Sequence, residues 1–575
     1  MLRTVSSLAV LAAVAVAASS HAQASRSPTQ IPRSPPSAPN AAVQPTPALP
    51  VAAGDAAFQE LGVRIAACFG REDPVCAEPL VANLVRQAAT STSTAYCQGL
   101  TDFLAGRLEP ARTALQRVAG SPMAPAVLRE RAQSYLELVE SSLEVQAGMK
   151  SHSLAGGRAT VHLRPGPDEV LLPYLDRVLR TALPGLDQAF GALGSAPVQL
   201  HILGRAADLG RLSGLTVEQI RTSGTIALCK HNRVLLTSPA DLVFGYPWAD
   251  TVVHELVHYY VIKRGGPDVP VWLHEGLARA FEGVWRGQVA AVLGPEERRV
   301  LSAARKKGRF VPLAKMSPSL ALLRSQEDTQ LAFAEVHHAV AWLLARASQD
   351  ATTGRAGDAA APGAHAGRLV GLFGAGLGES EALQRFGGLT PAAFQVAWKR
   401  DLLKLDLPAE ASARSVQPLV FRGVAAPRDA SHQVKNDARR FAELGDRLAV
   451  QKRPQAAAIE YRKALAAGPN DGALLVARLV RVLLDLGRND EAVDLLGPAL
   501  EDDPEHAPLH VLAGRAAVAM GRFKEAVDAL ERAAWINPFD PQVHALAAQA
   551  FASLGQEGDA AAARAREGMV QGVGQ

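Results

Sequence analysis

Residues 254–258, H-E-L-V-H, followed by residues 272–278, W-L-H-E-G-L-A, form the stretch around which the rest of the chain is organised. On a helix, residues four apart lie about 40° apart around the axis and about 6 Å along it, so the imidazoles of His254 and His258 can face one metal ion. Glu255 points about 100° away from His254 and is better placed to hold a metal-bound water than to ligate the metal. The spacing therefore predicts a catalytic metal site on a helix.

The residues around this stretch favour two consecutive helices. The glycines and proline of residues 265–267 end the first helix. A second helix is predicted from Pro270, since proline suits a first helical turn, where its missing N–H would have no partner. That helix carries Glu275. Together with His254 and His258 it makes a two-histidine, one-glutamate ligand set, which leaves one position of a zinc ion open.

These two blocks resemble the gluzincin metallopeptidases, in particular the bacterial peptidase-MA-like group, whose pattern is H-E-x-x-H followed by a helix that reads P-x-W-L-x-E-G-x-A. The matching positions of the second block are Pro270, Trp272, Leu273, Glu275, Gly276 and Ala278. By that resemblance, Glu275 is the third zinc ligand and Glu255 the general base. Two alternatives stay open, an accidental match and a peptidase fold kept as a binding scaffold.

The resemblance implies an α+β zincin-like catalytic domain, with a small mixed sheet, an active-site helix and a helical subdomain. Residues 159–164 and 198–203 read as strands. Residues 225–228 and 233–237 read as a strand pair, or as one bent strand, just before the metal helix. In gluzincins an edge strand pairs with the substrate backbone, and by resemblance residues 224–229 are the candidate.

A later helix, predicted over residues 331–345, often carries an aromatic hydroxyl near the zinc in this family. The position that aligns with that tyrosine is Phe333. Phenylalanine cannot donate a hydrogen bond to a developing oxyanion, so His337 or His338, one turn on, is the alternative donor. The other interpretation is that both histidines lie on a half-exposed helix face. Glu282 is a candidate hydrogen-bond partner of the ligand histidines.

A period of 34 residues runs through the C-terminal part of the chain. Small residues recur at this spacing, at Ala458, Ala492, Ala526 and Ala560 and at Gly487, Gly521 and Gly555. This period resembles tetratricopeptide repeats, which form an all-α solenoid. Residues 436–569 are therefore predicted to form three repeats and a partial one. Gly106, Ala111 and Pro122 stand at nearly the same offsets, which predicts a degenerate repeat hairpin in a helical N-terminal domain, residues 55–150.

Residues 1–24 are predicted to be an export signal. Arg3 supplies the positive charge, residues 8–18 an apolar run, and residues 22–24 a small-x-small cleavage site. A retained N-terminal anchor is the alternative interpretation. No later stretch has the ~18 apolar residues that a membrane-spanning helix needs. The protein is therefore expected to be exported, either periplasmic or secreted.

Composition marks the boundaries between the predicted domains. Residues 25–53 are rich in proline and alanine and are expected to be a disordered linker. The zinc metallopeptidase-like domain is predicted over residues 157–403, with a low-complexity loop at 348–366. Residues 404–435 read as a linker to the repeats.

The cysteines and the net charge limit the remaining possibilities. The four cysteines of an exported chain permit disulfides, and Cys68 with Cys76 closes the shortest loop. A bond between Cys97 and Cys229 would join the helical domain to the catalytic one, but it is one of the three pairings that four cysteines allow. The formal net charge of +4 is small for 575 residues and gives no reason to propose a nucleic-acid partner.

Together these features predict an exported zinc-dependent metallopeptidase that hydrolyses peptide or protein substrates, with Zn²⁺ as its cofactor. Zinc lowers the pKa of its water, and Glu255 takes the proton and passes it to the leaving amine. The repeats are expected to bind the substrate or a protein partner. The alternative is a catalytically weak or inactive zincin-fold scaffold whose repeats mediate protein–protein interaction.

Overall fold

The computed structural model describes residues 56–572, apart from gaps at 217–219, 221–224, 289–292, 317–319, 321–322, 324, 353–361, 408–420, 423–435 and 468–471. The export signal and the linker predicted over residues 1–53 lie outside the described residues, as does most of the linker predicted over 404–435. Within the second linker, Phe421 forms an isolated β-bridge with Leu242. The described part is mostly helical and contains a small mixed sheet.

The N-terminal part is helical, as predicted. Its helices are α1 (Ala56–Gly70), α2 (Pro74–Ala88), α3 (Thr92–Leu104), α4 (Leu108–Ala119) and α5 (Ala126–Gln146). Helices α3 and α4 approach closely at Gly99, where a Cβ atom would lie 2.8 Å from Leu115 Cγ. Gly514 and Leu530, with the same separation in sequence, make the equivalent contact in the C-terminal part, where a Cβ would lie 2.5 Å from Leu530 Cγ. The N-terminal hairpin therefore packs in the same way as a C-terminal repeat.

The cysteines behave in two different ways. Cys68 and Cys76 form the predicted disulfide, with their Cα atoms 5.6 Å apart. The bond considered between Cys97 and Cys229 is wrong, because both are free and buried. Cys97 lies in the core of the N-terminal helices and Cys229 in the core around the sheet, so different hydrophobic cores enclose the two thiols.

The sheet has two antiparallel edges and a parallel centre. Its strands are β1 (Lys150–Leu154), β2 (Ala159–Leu163), β3 (Val198–Leu203), β4 (Ala227–Lys230) and β5 (Arg233–Thr237), in the spatial order β1-β2-β3-β5-β4. β2, β3 and β5 are parallel, and β1 and β4 pair antiparallel at the edges. A tight turn at His231 and Asn232, both with positive φ, joins β4 to β5. The segment predicted as an edge strand therefore contributes β4, which does lie at an edge.

Helices cover the sheet and continue beyond it. They are α6 (Leu172–Phe190), α7 (Ala206–Ser213), α8 (Trp248–Gly265), α9 (Val271–Phe281), α10 (Pro295–Lys307), α11 (Gln326–Thr352), α12 (Pro362–Gly374), α13 (Glu379–Gly387) and α14 (Pro391–Leu402). One continuous hydrophobic core joins them to the sheet. Residues 348–352 and 362–366, predicted as part of a loop, are helical instead, because α11 and α12 extend into that segment.

The C-terminal part consists of paired helices at the predicted period. They are α15 (Asn436–Val450), α16 (Pro454–Ala467), α17 (Gly472–Asp485), α18 (Asn489–Asp502), α19 (Ala507–Ala519), α20 (Phe523–Ala534), α21 (Pro541–Ser553) and α22 (Glu557–Val570). Gly487, Gly521 and Gly555 have φ of 72–74°, a left-handed conformation that glycine adopts without strain, and they end the first helix of a pair. The fourth repeat, predicted as partial, is a complete helix pair.

The last repeats pack directly onto the body that contains the sheet. Trp535, in the turn after α20, contacts Trp248 and Trp285 with ring centroids 5.7 and 4.7 Å away. Trp248 Nε1 donates to Ala534 O at 3.2 Å. Gly245 has no room for a side chain, since a Cβ there would lie 2.2 Å from Ile536 O. The repeat array is therefore joined to the first turn of α8 by apolar packing and hydrogen bonds.

Among the helices of the described part, none is both long enough and apolar enough to span a membrane.

Candidate metal centre

Helix α8 carries the H-E-L-V-H stretch and is buried over most of its surface. Its buried apolar residues include Val252, Val253, Leu256, Val257 and Val261. Lys263 and Arg264 occupy its last turn, where positive charge complements the helix dipole. Gly266, with φ of 75°, ends the helix as predicted. This burial fixes the rotation of α8 and turns His254 and His258 toward α9.

The predicted ligand set comes together at the contact between α8 and α9. Ligand atoms of His254, His258 and Glu275 all lie within 4.8 Å of one another. Glu275 Oε2 is 3.5 Å from His254 Nε2 and 3.6 Å from His258 Nε2. The three side chains are only 14–21% exposed. Two imidazole nitrogens and one carboxylate oxygen therefore converge on one point near the surface.

Gly276 allows this convergence. A Cβ on this residue would lie 2.3 Å from Val340 Cγ2 and 2.6 Å from Val336 O, both on α11. Only a glycine lets α9 lie this close to α11, and that contact sets where the neighbouring Glu275 points. The glycine of the W-L-x-E-G pattern thus has a packing role next to the ligand.

The ring nitrogens that face away from Glu275, Nδ1 of His254 and Nδ1 of His258, have different partners. His254 Nδ1 lies 3.1 Å from Glu282 Oε2, so the predicted partner Glu282 reaches it. His258 Nδ1 lies 3.3 Å from His274 Nδ1. Burial and the nearby His258 lower the pKa of His274 to about 3, so its imidazole is neutral. His274 is a site residue that the sequence interpretation missed, although it occupies the variable position of the W-L-x-E-G pattern.

Glu255 lies beside the cluster and is buried against the edge strand. Its carboxylate accepts a hydrogen bond from the backbone N–H of Cys229 in β4. Its second oxygen, Oε2, is buried and has no hydrogen-bond partner among the residues that the structure describes. Burial raises the pKa of Glu255, and the neighbouring His258 and His254 oppose that rise. One carboxylate oxygen is thus held by the edge strand, while the other is left without a partner.

The charged side chains of the cluster form an ion pair. Burial alone would lower the pKa of His254, but the carboxylates of Glu275 and Glu282 outweigh it and raise this pKa to about 10. Burial also opposes ionisation of Glu275, yet His258 and His254 hold its pKa well below the usual range. Near neutral pH the imidazole of His254 is therefore positively charged and balances the Glu275 carboxylate.

The two histidines predicted as oxyanion donors are not part of the cluster. His337 is buried, and its Nδ1 lies 2.9 Å from Glu297 Oε1. His338 is also buried, with Nε2 3.3 Å from Asp401 Oδ2. The interpretation that both lie on a half-exposed helix face is therefore wrong. The ring of Phe333 faces the guanidinium of Arg279 at 5.8 Å.

The donor set fits a zinc ion. Two neutral imidazoles and one carboxylate are a common catalytic zinc set, and the outward nitrogens are already occupied by Glu282 and His274, which leaves both Nε2 atoms for the metal. The Glu255 carboxylate is close enough to His258, His254 and Glu275 to interact with them electrostatically. Its Oε2, without a partner in the described part of the chain, can accept a hydrogen bond from a water or substrate group.

Comparison with known proteins identifies the C-terminal repeats. A family model for the tetratricopeptide repeat matches residues 483–550, so this part of the chain contains tetratricopeptide repeats, which suggest a role in protein–protein interaction. No curated protein matches the chain.

Several solved repeat structures are similar to part of the chain. A thermophilic TPR protein from Thermus thermophilus is 23% identical, with a TM-score of 0.22, over 23% of this chain and 72% of its own. MamA, residues 41 to the end, from Desulfovibrio magneticus RS-1 is 20% identical, with a TM-score of 0.22, over 24% of this chain and 79% of its own.

Proposed function

We propose that this protein is an exported, zinc-dependent hydrolase of peptide bonds, of the gluzincin type, whose repeats bind a protein partner or substrate. The observation that carries the proposal is the convergence of His254, His258 and Glu275 within 4.8 Å, with the buried Glu255 carboxylate beside them. Three ligands that leave a position open are the arrangement of catalytic rather than structural zinc sites.

The residues of this chain have separate tasks in that reaction. His254, His258 and Glu275 would hold the zinc, which when bound supplies Lewis-acid chemistry, making water more acidic and polarising a carbonyl oxygen. Glu255 accepts the proton of the attacking water at Oε2 and delivers it to the leaving amine. The raised pKa of Glu255 suits this task, because a general base works best when its pKa lies near the pH of the reaction, and the shift is in that direction.

The edge strand β4 offers a place for the substrate backbone. Within the described ranges, β4 pairs with the rest of the sheet on one side only, through β5. An extended peptide can add to such an edge by main-chain hydrogen bonds, with little demand on its side chains. Because Cys229 in β4 donates its N–H to Glu255, a peptide lying along this edge passes directly beside the proposed base.

A second candidate is a scaffold that binds partners without catalysis. It is favoured by Phe333, which faces Arg279 and cannot donate a hydrogen bond, and by His337 and His338, whose contacts are with Glu297 and Asp401. In this function the repeats are the active part, and the metal site only stabilises the fold.

Metal content and peptide cleavage of the mature chain separate these functions. We expect one zinc per chain and cleavage of a mixed peptide library by the wild type. Glu255→Gln should keep the zinc and lose cleavage, and His258→Ala should lose both, because two protein ligands rarely hold a catalytic zinc. His162→Ala is the matched histidine control, since His162 contacts Ser151 and Gln199 in the sheet. Bound zinc without cleavage by the wild type would favour the scaffold, and a wild type without zinc would refute the metal site.

A further inference from the structure

A row of four side chains leads away from His254, half-buried at Glu282 and Arg279 and buried at Glu297 and His337. Its first contact is Glu282 Oε2, 3.1 Å from His254 Nδ1. Arg279 Nη1 donates to both carboxylate oxygens of Glu282, at 2.9 and 3.2 Å. Arg279 Nη2 lies 3.3 Å from Glu297 Oε1, and that same oxygen lies 2.9 Å from His337 Nδ1. The row connects α8, the end of α9, α10 and α11.

Burial of this row has a free-energy cost that its own contacts must offset. Glu297 and His337 are 11% and 4% exposed at their side chains. Buried ion pairs often contribute little to stability compared with apolar residues of the same size, because both charges lose water. The fold would therefore lose little if apolar residues filled this space, so stability alone does not account for the row.

The guanidinium of Arg279 bridges the two carboxylates of the row. Arg279 uses one nitrogen of its guanidinium for Glu282 and the other for Glu297, and the ring of Phe333 lies against it at 5.8 Å. A guanidinium is planar and rigid, so anchoring one side at Glu297 fixes the position of the other side at Glu282. Glu297 is fixed in turn by the backbone N–H of Gly294, which donates to its Oε2 at 2.8 Å.

We propose that Arg279 and Glu297 are positioning residues of the metal centre, which hold Glu282 in the orientation that makes His254 present its Nε2 to the metal. An ionised carboxylate only accepts hydrogen bonds, so Glu282 keeps the proton of a metal-bound His254 on Nδ1 and leaves Nε2 for the metal. The corresponding nitrogen of His258, Nδ1, faces a second imidazole, His274, and not a carboxylate. The inference rests on the metal site of the proposed function, though not on peptide cleavage.

This proposal gives His337 a role different from the one that its sequence position predicts. Its ring donates to Glu297 instead of pointing at a reacting carbonyl. It thereby supports the oxygen of Glu297 that also contacts Arg279. His337 is therefore at the far end of the row that supports His254.

The chain offers a matched control on the same helix. Glu296 precedes Glu297 on α10 and pairs with Arg299 at 2.8 Å, but its side chain is 40% exposed. Glu296→Gln and Glu297→Gln remove the same charge from adjacent positions. Only the second variant breaks the row, so a difference between them measures positioning and not the loss of one negative charge.

The test measures the metal directly in the full mature chain. Zinc dissociation constants are obtained by competition with a chelator, and the electronic absorption spectrum of the cobalt(II)-substituted protein reports the ligand geometry. Removing an outer hydrogen-bond partner of a metal ligand typically weakens metal binding about 10- to 100-fold. Glu297 lies two contacts beyond Glu282, the outer partner of His254, so we expect the lower end of this range, about tenfold, for Glu297→Gln, with a shifted cobalt spectrum. Glu296→Gln should stay within about twofold of the wild type.

A second variant covers the case in which Glu297→Gln does not fold. Arg279→Lys keeps the positive charge but loses the fork that bridges the two carboxylates, and it should also weaken zinc binding about tenfold. The proposal is overturned if the folded variants bind zinc as the wild type does and show its cobalt spectrum, even if their unfolding midpoints fall. A wild type that binds zinc without cleaving peptides would refute the peptidase and leave this proposal to be decided by the dissociation constants. A wild type that binds no zinc would refute both.

Discussion

Replacing Trp535 by alanine should reveal how strongly the repeats are joined to the metal helix. Trp535 is 6% exposed, and its ring lies 5.2 Å from that of Tyr174 as well as against Trp248 and Trp285. The guanidinium of Arg177 lies 4.5 Å above the ring. Loss of a buried Trp side chain costs about 3–5 kcal/mol, and the contact with Arg177 adds about 0.5–1 kcal/mol, so we expect a loss of about 4 kcal/mol in the free energy of unfolding.

The effect should also reach the metal centre. Trp248, which packs against Trp535, is the first residue of α8, and His254 lies about 9 Å further along the same helix. Loss of this packing should allow the first turns of α8 to open and so weaken zinc binding. Denaturant unfolding followed by circular dichroism measures the first effect, and chelator competition measures the second.

Phe523→Ala provides the control. Phe523 begins α20, the same helix that ends next to Trp535, but it packs within the array against Ala517, Ala526 and Ala550. This variant should destabilise the repeats and leave zinc affinity unchanged. If Trp535→Ala lowers the free energy of unfolding by less than about 1 kcal/mol, or if both variants weaken zinc equally, the inferred link between Trp535 and α8 is wrong.

Three further predictions concern protonation and the disulfide. Because the pKa of His254 is raised to about 10 without zinc, zinc binding near pH 7 should release about one proton from this imidazole, and zinc affinity should rise about tenfold per pH unit below that pKa. Calorimetry should show the released proton as a binding enthalpy that depends on the buffer, and an enthalpy independent of the buffer would contradict this. Burial raises the pKa of Glu335 from 4.5 to about 8, so the folded state holds a proton that the unfolded chain has lost, and stability should fall as pH rises between these values. Glu335→Gln should remove this fall in the free energy of unfolding, which reaches about 5 kcal/mol by pH 9. If denaturant unfolding shows the variant to be as pH-sensitive as the wild type, the raised pKa of Glu335 is refuted. Replacing Cys68 and Cys76 together by alanine should lower the free energy of unfolding by about 2.5 kcal/mol, the loop-closure entropy of the disulfide. The variant is compared with the wild type with and without reductant, and a wild type whose stability does not change with reductant would refute the bond.

The parts of the structure that sequence predicts well depend on short-range spacing. His254 and His258 are one helical turn apart, so their common direction follows from the helix alone. Glu275 needs a second helix, but the motif that contains it also contains Gly276, whose lack of a side chain allows the required contact with α11. The repeats are equally local, because each helix pair repeats the spacing of the one before it.

Other features depend on contacts between residues far apart in sequence. β1, with the sequence K-S-H-S-L, has no apolar alternation, and it becomes a strand only because it pairs with β2 at the edge of the sheet. His274 occupies a variable position of its motif, and only its contact with His258 Nδ1 in the folded structure makes it a residue of the site. The row from Glu282 to His337 joins α9, α10 and α11, and no periodicity indicates that Arg279 and Glu297 meet.

The packing of Trp535 also affects how the repeats can be studied. Removing residues 436–572 would take away a possible partner surface, and it would also expose Trp248, which is fully buried at the start of α8. Loss of activity in such a truncation would therefore have two causes that cannot be separated. Arg447 and Arg481 are exposed at equivalent positions, 34 residues apart, on the first helices of two repeats that precede Trp535. Substitution there changes the surface of the array and leaves the contact with α8 intact, so it tests partner binding without disturbing the metal helix.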